Sequence, residues 1–114
     1  MPTELEKKYQ VAAGGVSLTV TIGNGQLGAS AVSLAGNRLA KGDIKDLHLG
    51  TGATVAGKQL FIKTVVTDVN DSTDHTSVRY ELKGGKANET HDLDGDADEE
   101  GGSVIYRVTF NLES

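Results

Sequence analysis

Residues 104–112 read Val104-Ile105-Tyr106-Arg107-Val108-Thr109-Phe110-Asn111-Leu112. Val104, Tyr106, Val108, Phe110 and Leu112 share one parity; Ile105, Arg107, Thr109 and Asn111 share the other. Successive side chains of a strand point to opposite faces, so the pattern predicts a strand with one face buried. The same period runs through residues 77–82, where Val78, Tyr80 and Leu82 alternate with Ser77, Arg79 and Glu81. It runs again through residues 16–22, on Val16, Leu18, Val20 and Ile22. Val78, Tyr80, Leu82, Val104, Tyr106, Val108 and Phe110 are therefore expected to face one core. Residues 58–68 differ. Leu60, Ile62 and Val66 lie on one parity and Phe61 and Val65 on the other, which places this strand centrally.

Alternation of this kind belongs to antiparallel sheets, because parallel strands tend to be apolar throughout. Turn signals fall between the runs at Gly23-Asn24-Gly25, Gly36-Asn37 and Lys83-Gly84-Gly85-Lys86, each a hairpin candidate. Residues 3–10 predict a helical turn or a lead-in to an edge strand from Tyr9. Residues 42–57 suggest a short strand at 47–49 and another near 53–56. Together these give an all-β, antiparallel β-sandwich of about eight strands, with a small β-barrel as the alternative.

The chain has 114 residues, enough for one domain with a core and too few for two, so residues 1–114 are taken as a single domain. Apolar residues make up 37%, above the range of disordered chains. There is no cysteine, which removes disulfides and thiolate metal sites. The opening stretch lacks the apolar core of a signal peptide, so a cytoplasmic location is the default expectation. No apolar run reaches membrane-spanning length, and no membrane insertion is expected.

The net charge of −5 is concentrated. Glu89, Asp92, Asp94, Asp96, Asp98, Glu99 and Glu100 lie in one segment without a lysine or arginine, so the remainder of the chain is slightly basic. Nothing there forms a basic face for nucleic acid. The absence of tryptophan leaves few stacking platforms and argues against an aromatic carbohydrate platform.

Gly23-x-Gly25-x-x-Gly28 matches a dinucleotide fingerprint, but its setting is wrong: the preceding strand alternates with threonine, and a turn signal interrupts the following segment. His48, His75 and His91 do not have zinc-ligand spacing, and no G-x-S-x-G elbow is present. Asn70-Asp71-Ser72 and Asn88-Glu89-Thr90 match glycosylation sequons, which have no meaning without export.

Two acidic segments echo one another. Asp68 to Asp74 leads into Ser77-Val78-Arg79-Tyr80, and Asp92 to Asp98 leads into Ser103-Val104-Ile105-Tyr106. One echo falls short of the several copies a repeat architecture needs. The second segment fails the EF-hand register, with Ala97 and Ser103 where glycine and glutamate belong. The stretches Asp68-Val69-Asn70-Asp71 and Asp96-Ala97-Asp98 resemble the calcium motifs of cadherin repeats; that resemblance covers these residues alone and implies carboxylate ligands for calcium.

If the strands at 59–67, 76–83, 87–91 and 103–112 form a meander, alternate loops meet at one end. Asp68, Asn70, Asp71 and Asp74 then face Asp92, Asp94, Asp96 and Asp98. The expected function is a non-enzymatic interaction or structural module, binding a protein partner or itself through a surface or strand edge. The alternative is a calcium-dependent binding module using two acidic end loops, 68–74 and 92–100.

Overall fold

The computed structural model describes residues 3–114 except 24, 70–72, 74 and 98–100. Nine strands form two facing sheets, with a one-turn helix between the fifth and sixth strands. The strands are β1 (Glu4–Gln10), β2 (Gly15–Ile22), β3 (Leu27–Leu34), β4 (Asn37–Gly42), β5 (Leu47–Thr51), β6 (Gln59–Thr67), β7 (His75–Lys83), β8 (Glu89–Asp96) and β9 (Ser103–Glu113); the helix is α1 (Gly52–Val55). One sheet runs β1-β9-β6-β3-β4 and the other β5-β2-β7-β8. Both sheets are open at β1, β4, β5 and β8, so the fold is a sandwich and not a closed barrel.

The inward parity read from the sequence is the buried one. Tyr80, Leu82, Tyr106, Val108 and Phe110 are fully buried, Val78 nearly so, and Val104 packs partly buried against them. Tyr80 and Tyr106 come from opposite sheets, and each hydroxyl reaches across the core. Tyr80 meets Thr64 of β6 at 2.8 Å, and Thr64 meets Ser30 of β3 at 2.8 Å. The Tyr106 hydroxyl bonds Thr76 of β7, which donates to the Gly95 carbonyl of β8 at 2.7 Å. Gly95 occupies an inward position, where a Cβ would come within 3.1 Å of the Thr3 methyl. Tyr9 closes the opposite end: its hydroxyl donates to the Ala87 carbonyl at 2.8 Å and accepts from the Gly85 amide at 2.9 Å. Buried hydroxyls need such partners, and the cross-sheet distance is one that tyrosine spans.

The expected all-β sandwich of about eight strands holds, with nine among the described residues. Several details are corrected. One pairing is not antiparallel: β1 lies parallel to β9, in register from Glu4 with Arg107 to Gln10 with Glu113. The edge strand thus starts at Glu4, before Tyr9. Residues 52–55 form a helical turn in place of a strand, burying Val55 and Gly52. The predicted meander is absent, because β6 pairs with β9 while β7 pairs with β8. Gly23–Gly25 joins strands of different sheets and so is a crossover, not a hairpin. The β3–β4 turn sits one residue early, on Ala35 and Gly36, both with positive φ (51° and 83°), as the twist of a two-residue hairpin demands. The turn after Lys83 does join a paired hairpin, and β6 is central, both as expected. Gly28 lies within β3 with no helix after it, which removes the fingerprint reading.

Candidate functional site

Three connections cross between the sheets at one end. They are 23–26 (β2 to β3), 68–74 (β6 to β7) and 97–102 (β8 to β9). The connections after β6 and before β9 adjoin there through their described residues, Asp68 with Gly101 and Gly102, by crossover rather than by meander. β6 and β9 are paired through Thr67 and Ser103, and the ladder continues one step further: the Asp68 amide donates to the Gly102 carbonyl at 2.9 Å, and the Gly101 amide to the Asp68 carbonyl at 3.0 Å.

The structure divides the predicted ligands into three groups. Asn70, Asp71, Asp74 and Asp98 lie outside the described residues. Asp92, Asp94 and Asp96 are not in a loop at all: they occupy β8 and alternate outward, opposite the buried Leu93. Their carboxylates face bases on the neighbouring β7. Arg79 Nε donates to Asp92 at 2.8 Å, His75 Nδ1 lies 2.7 Å from Asp96, and His75 Nε2 lies 3.7 Å from Asp94. The segment expected to be a ligand loop is thus the charged face of an edge strand. Carboxylates along such an edge oppose pairing with another chain. Asp68 is the third case. It continues the inward parity Leu60, Ile62, Thr64, Val66, and it is 1% exposed. Among the described residues neither of its carboxylate oxygens has a hydrogen-bond partner.

Beside Asp68, one step beyond the last registered pair of β3 and β6, lies Gln26, also buried. Its amide is engaged with the crossing chain. Nε2 donates to the Thr73 and His75 carbonyls at 3.1 Å each, and Oε1 accepts from the Val69 amide at 2.8 Å. Gln26 therefore fixes the connection around Asp68. The sequence signal for both residues was parity: each is the next inward position of its strand.

The histidines do not converge. His48 is on β5, at the far edge of the sheet from β8, and His91 Nε2 lies 3.0 Å from Glu89. Among the described residues no group of three metal-ligating side chains forms. A shallow recess of about 490 Å³ on the outer face of β2, β7 and β8 is lined in part by Thr21, Arg79, Glu81 and Asp92. The Arg79–Asp92 ion pair is part of its lining.

The outer face of the five-stranded sheet is layered. Nearest the crossover end, Leu27, Thr67 and Ser103 form a row, followed by Ala29, Val65 and Ile105. Next come Lys41, Ala31, Lys63, Arg107 and Glu4. Leu27 is 66% exposed, Ile105 38% and Val65 36%. Among the described residues no helix is long and apolar enough to cross a membrane. The chain matches no protein-family model, no curated protein and no solved structure.

Proposed function

We propose that this protein is a non-enzymatic binding module that self-associates through the outer face of its five-stranded sheet. The observation that carries the reading is the exposed apolar band of Leu27, Ala29, Val65 and Ile105 beside a row holding Lys41, Lys63 and Arg107. Full burial of one such large side chain is worth about 1.5–3 kcal/mol.

A two-fold stack of this face on itself sets apolar band on apolar band, which makes a second copy the occupant. Area agrees. Five strands of 6 to 11 residues, about eight on average, give a face of roughly 24 Å by 27 Å, so two faces bury about 1,300 Å², within the range of specific interfaces. The open edges β1 and β8 are poorer candidates, since Glu4, Glu6, Asp92, Asp94 and Asp96 lie along them.

Sedimentation equilibrium across micromolar concentrations tests the reading. A dimer that Val65→Lys with Ile105→Lys converts to monomer is the expected result. A monomer at every concentration overturns self-association through this face.

A further inference from the structure

Strand pairing carries two continuous rows of outward residues across all five strands of the larger sheet. One row is Glu4, Arg107, Lys63, Ala31 and Lys41. The next is Glu6, Thr109, Phe61, Ser33 and Arg38. Each row starts on an acid of β1 and ends on a base of β4, and all four end residues are exposed. Glu4, Arg38 and Lys41 form no salt bridge among the described residues. Glu6 accepts from the Asn111 amide at 3.0 Å. Lys8, the base further along β1, lies 3.8 Å from Glu113. The face thus has an acidic edge and a basic edge, with unlike charges at matched heights. Resting on the stacking proposed above, we infer that the two-fold axis of the dimer runs along β6, setting the acidic β1 of each copy over the basic β4 of the other.

β6 is the middle strand of the five. Rotation about it returns β6 to itself, exchanges β9 with β3, and exchanges β1 with β4. Every row then stays opposite the same row of the second copy. Val65 meets Val65, Ile105 meets the small Ala29, Glu4 meets Lys41 and Glu6 meets Arg38. Strands of the two copies run in nearly the same direction, within the roughly 30° that twisted sheets adopt when packed face to face. An axis across the strands is the alternative. Set at the Lys63 row, it covers the whole face but stacks β4 on β4 and β1 on β1. Lys41 then lies on Lys41 and Glu4 on Glu4, and like charges set opposite one another disfavour a complex. It also takes each apolar row off its own copy. Set within the apolar band, the axis covers roughly half of the face, and half of about 1,300 Å² is below the range of stable specific interfaces. Lys63 meets its own copy under the axis along β6 and under the axis across its row, so it does not choose between them.

Sedimentation equilibrium on the whole protein at low salt tests the axis with three variants beside the parent. One reverses the basic edge, Arg38→Glu with Lys41→Glu. Another reverses the acidic edge, Glu4→Lys with Glu6→Lys. The third carries all four changes. Each single-edge variant should weaken the dimer by about tenfold or more, because every cross-edge pair becomes a like pair. The four-fold variant should return toward the affinity of the parent, since its pairs are unlike again. Melting curves confirm that each variant is folded. If Glu6→Lys unfolds the protein by losing Asn111, then Glu4→Lys, Lys41→Glu and the two combined repeat the comparison on one pair. Single-edge variants that dimerise like the parent overturn the axis. So does a combined variant that recovers nothing. A parent dimer dissolved by Val65→Lys with Ile105→Lys, yet indifferent to edge reversal, overturns this geometry alone and keeps the surface reading. A parent that is monomeric at every concentration overturns both.

Discussion

Thr76 and Asp68 are buried at the same end of the sandwich and are treated in opposite ways. Thr76 is fully enclosed, donates to the Gly95 carbonyl and is bonded to the Tyr106 hydroxyl, which links the two sheets. Asp68 is equally enclosed, and its carboxylate has no hydrogen-bond partner among the described residues. A satisfied polar group inside a core specifies how the sheets are matched. An unsatisfied one destabilises the fold unless something else compensates it. The difference follows position: Thr76 lies within paired strands, where hydroxyls and carbonyls approach at fixed distances, while Asp68 lies one step past the end of β6, where the chain leaves the ladder.

The largest expected effect tests whether that end position is what makes a buried charge tolerable. Val108 is fully buried midway along β9, opposite Ile62. Val108→Asp places a carboxylate where no crossing segment is near, and should cost about 4 kcal/mol or more, or prevent folding. Chemical denaturation measures it. A variant as stable as the parent would mean that the assigned inward face is wrong.

Alkaline pH challenges the satisfied side of the comparison next. Burial pushes the Tyr80 hydroxyl far above the ordinary tyrosine value, against a lowering by its Thr64 bond. Tyr106 is raised by burial, opposed by Thr76 and reinforced by Asp94 and Asp96. Tyr9 is raised by burial, opposed by the Gly85 amide and reinforced by Glu89. Above pH of about 10 the unfolded chain releases these protons while the folded chain retains them. The folded state then binds more protons, so stability falls as pH rises, by up to about 1.4 kcal/mol per pH unit for each tyrosine. Below that pH the contribution is complete and flat. Denaturation midpoints between pH 8 and 12 should show the decline, and Tyr80→Phe should make it shallower. An unchanged slope in that variant would remove Tyr80 from the account.

Thr76→Val is expected to have a smaller effect. It keeps the shape and strands the Tyr106 hydroxyl and the Gly95 carbonyl, a loss of about 1–3 kcal/mol. Adding Tyr106→Phe should recover part of that loss, because the hydroxyl left without a partner is then gone. A double variant as unstable as the sum of the two would show that the hydroxyls do not act as a pair.

The sequence was legible wherever period two was clean. Val104 to Leu112 and Val78 to Leu82 carried their burial on their faces, and the central place of residues 58–68 followed from its two apolar parities. Pairing was not legible. Parity says which side a residue faces, and says nothing of which strand lies beside it, so β6 beside β9 and the parallel β1 could not be read. At the candidate site, density of aspartate misled. Asp92, Asp94 and Asp96 looked like a loop because carboxylates are common in loops, yet their spacing of two is that of an edge strand with buried Leu93 between. Extending the β6 parity by one step past Val66 would have marked Asp68 as inward, and the same step on β3 marks Gln26.

The smallest expected effect concerns the other buried hydroxyl chain. Ser30, Thr64 and Tyr80 form a line from β3 through β6 to β7, with Thr64 bonded on both sides. Ser30→Ala removes one end only. Thr64 keeps its bond to Tyr80, and the departing oxygen leaves a space smaller than a methyl group. A loss of about 0.5–1.5 kcal/mol is expected, the net worth of one ordinary hydrogen bond. Thr64→Val in the same background should cost more, since it strands Ser30 on one side and Tyr80 on the other. Urea denaturation of the two single variants gives the ratio. If Ser30→Ala costs as much as Thr64→Val, the three hydroxyls are coupled as a unit, and loss of one end disorders the whole line. Tyr80 would then depend on a residue it does not touch, and the cross-sheet tie would belong to the network and not to the tyrosine.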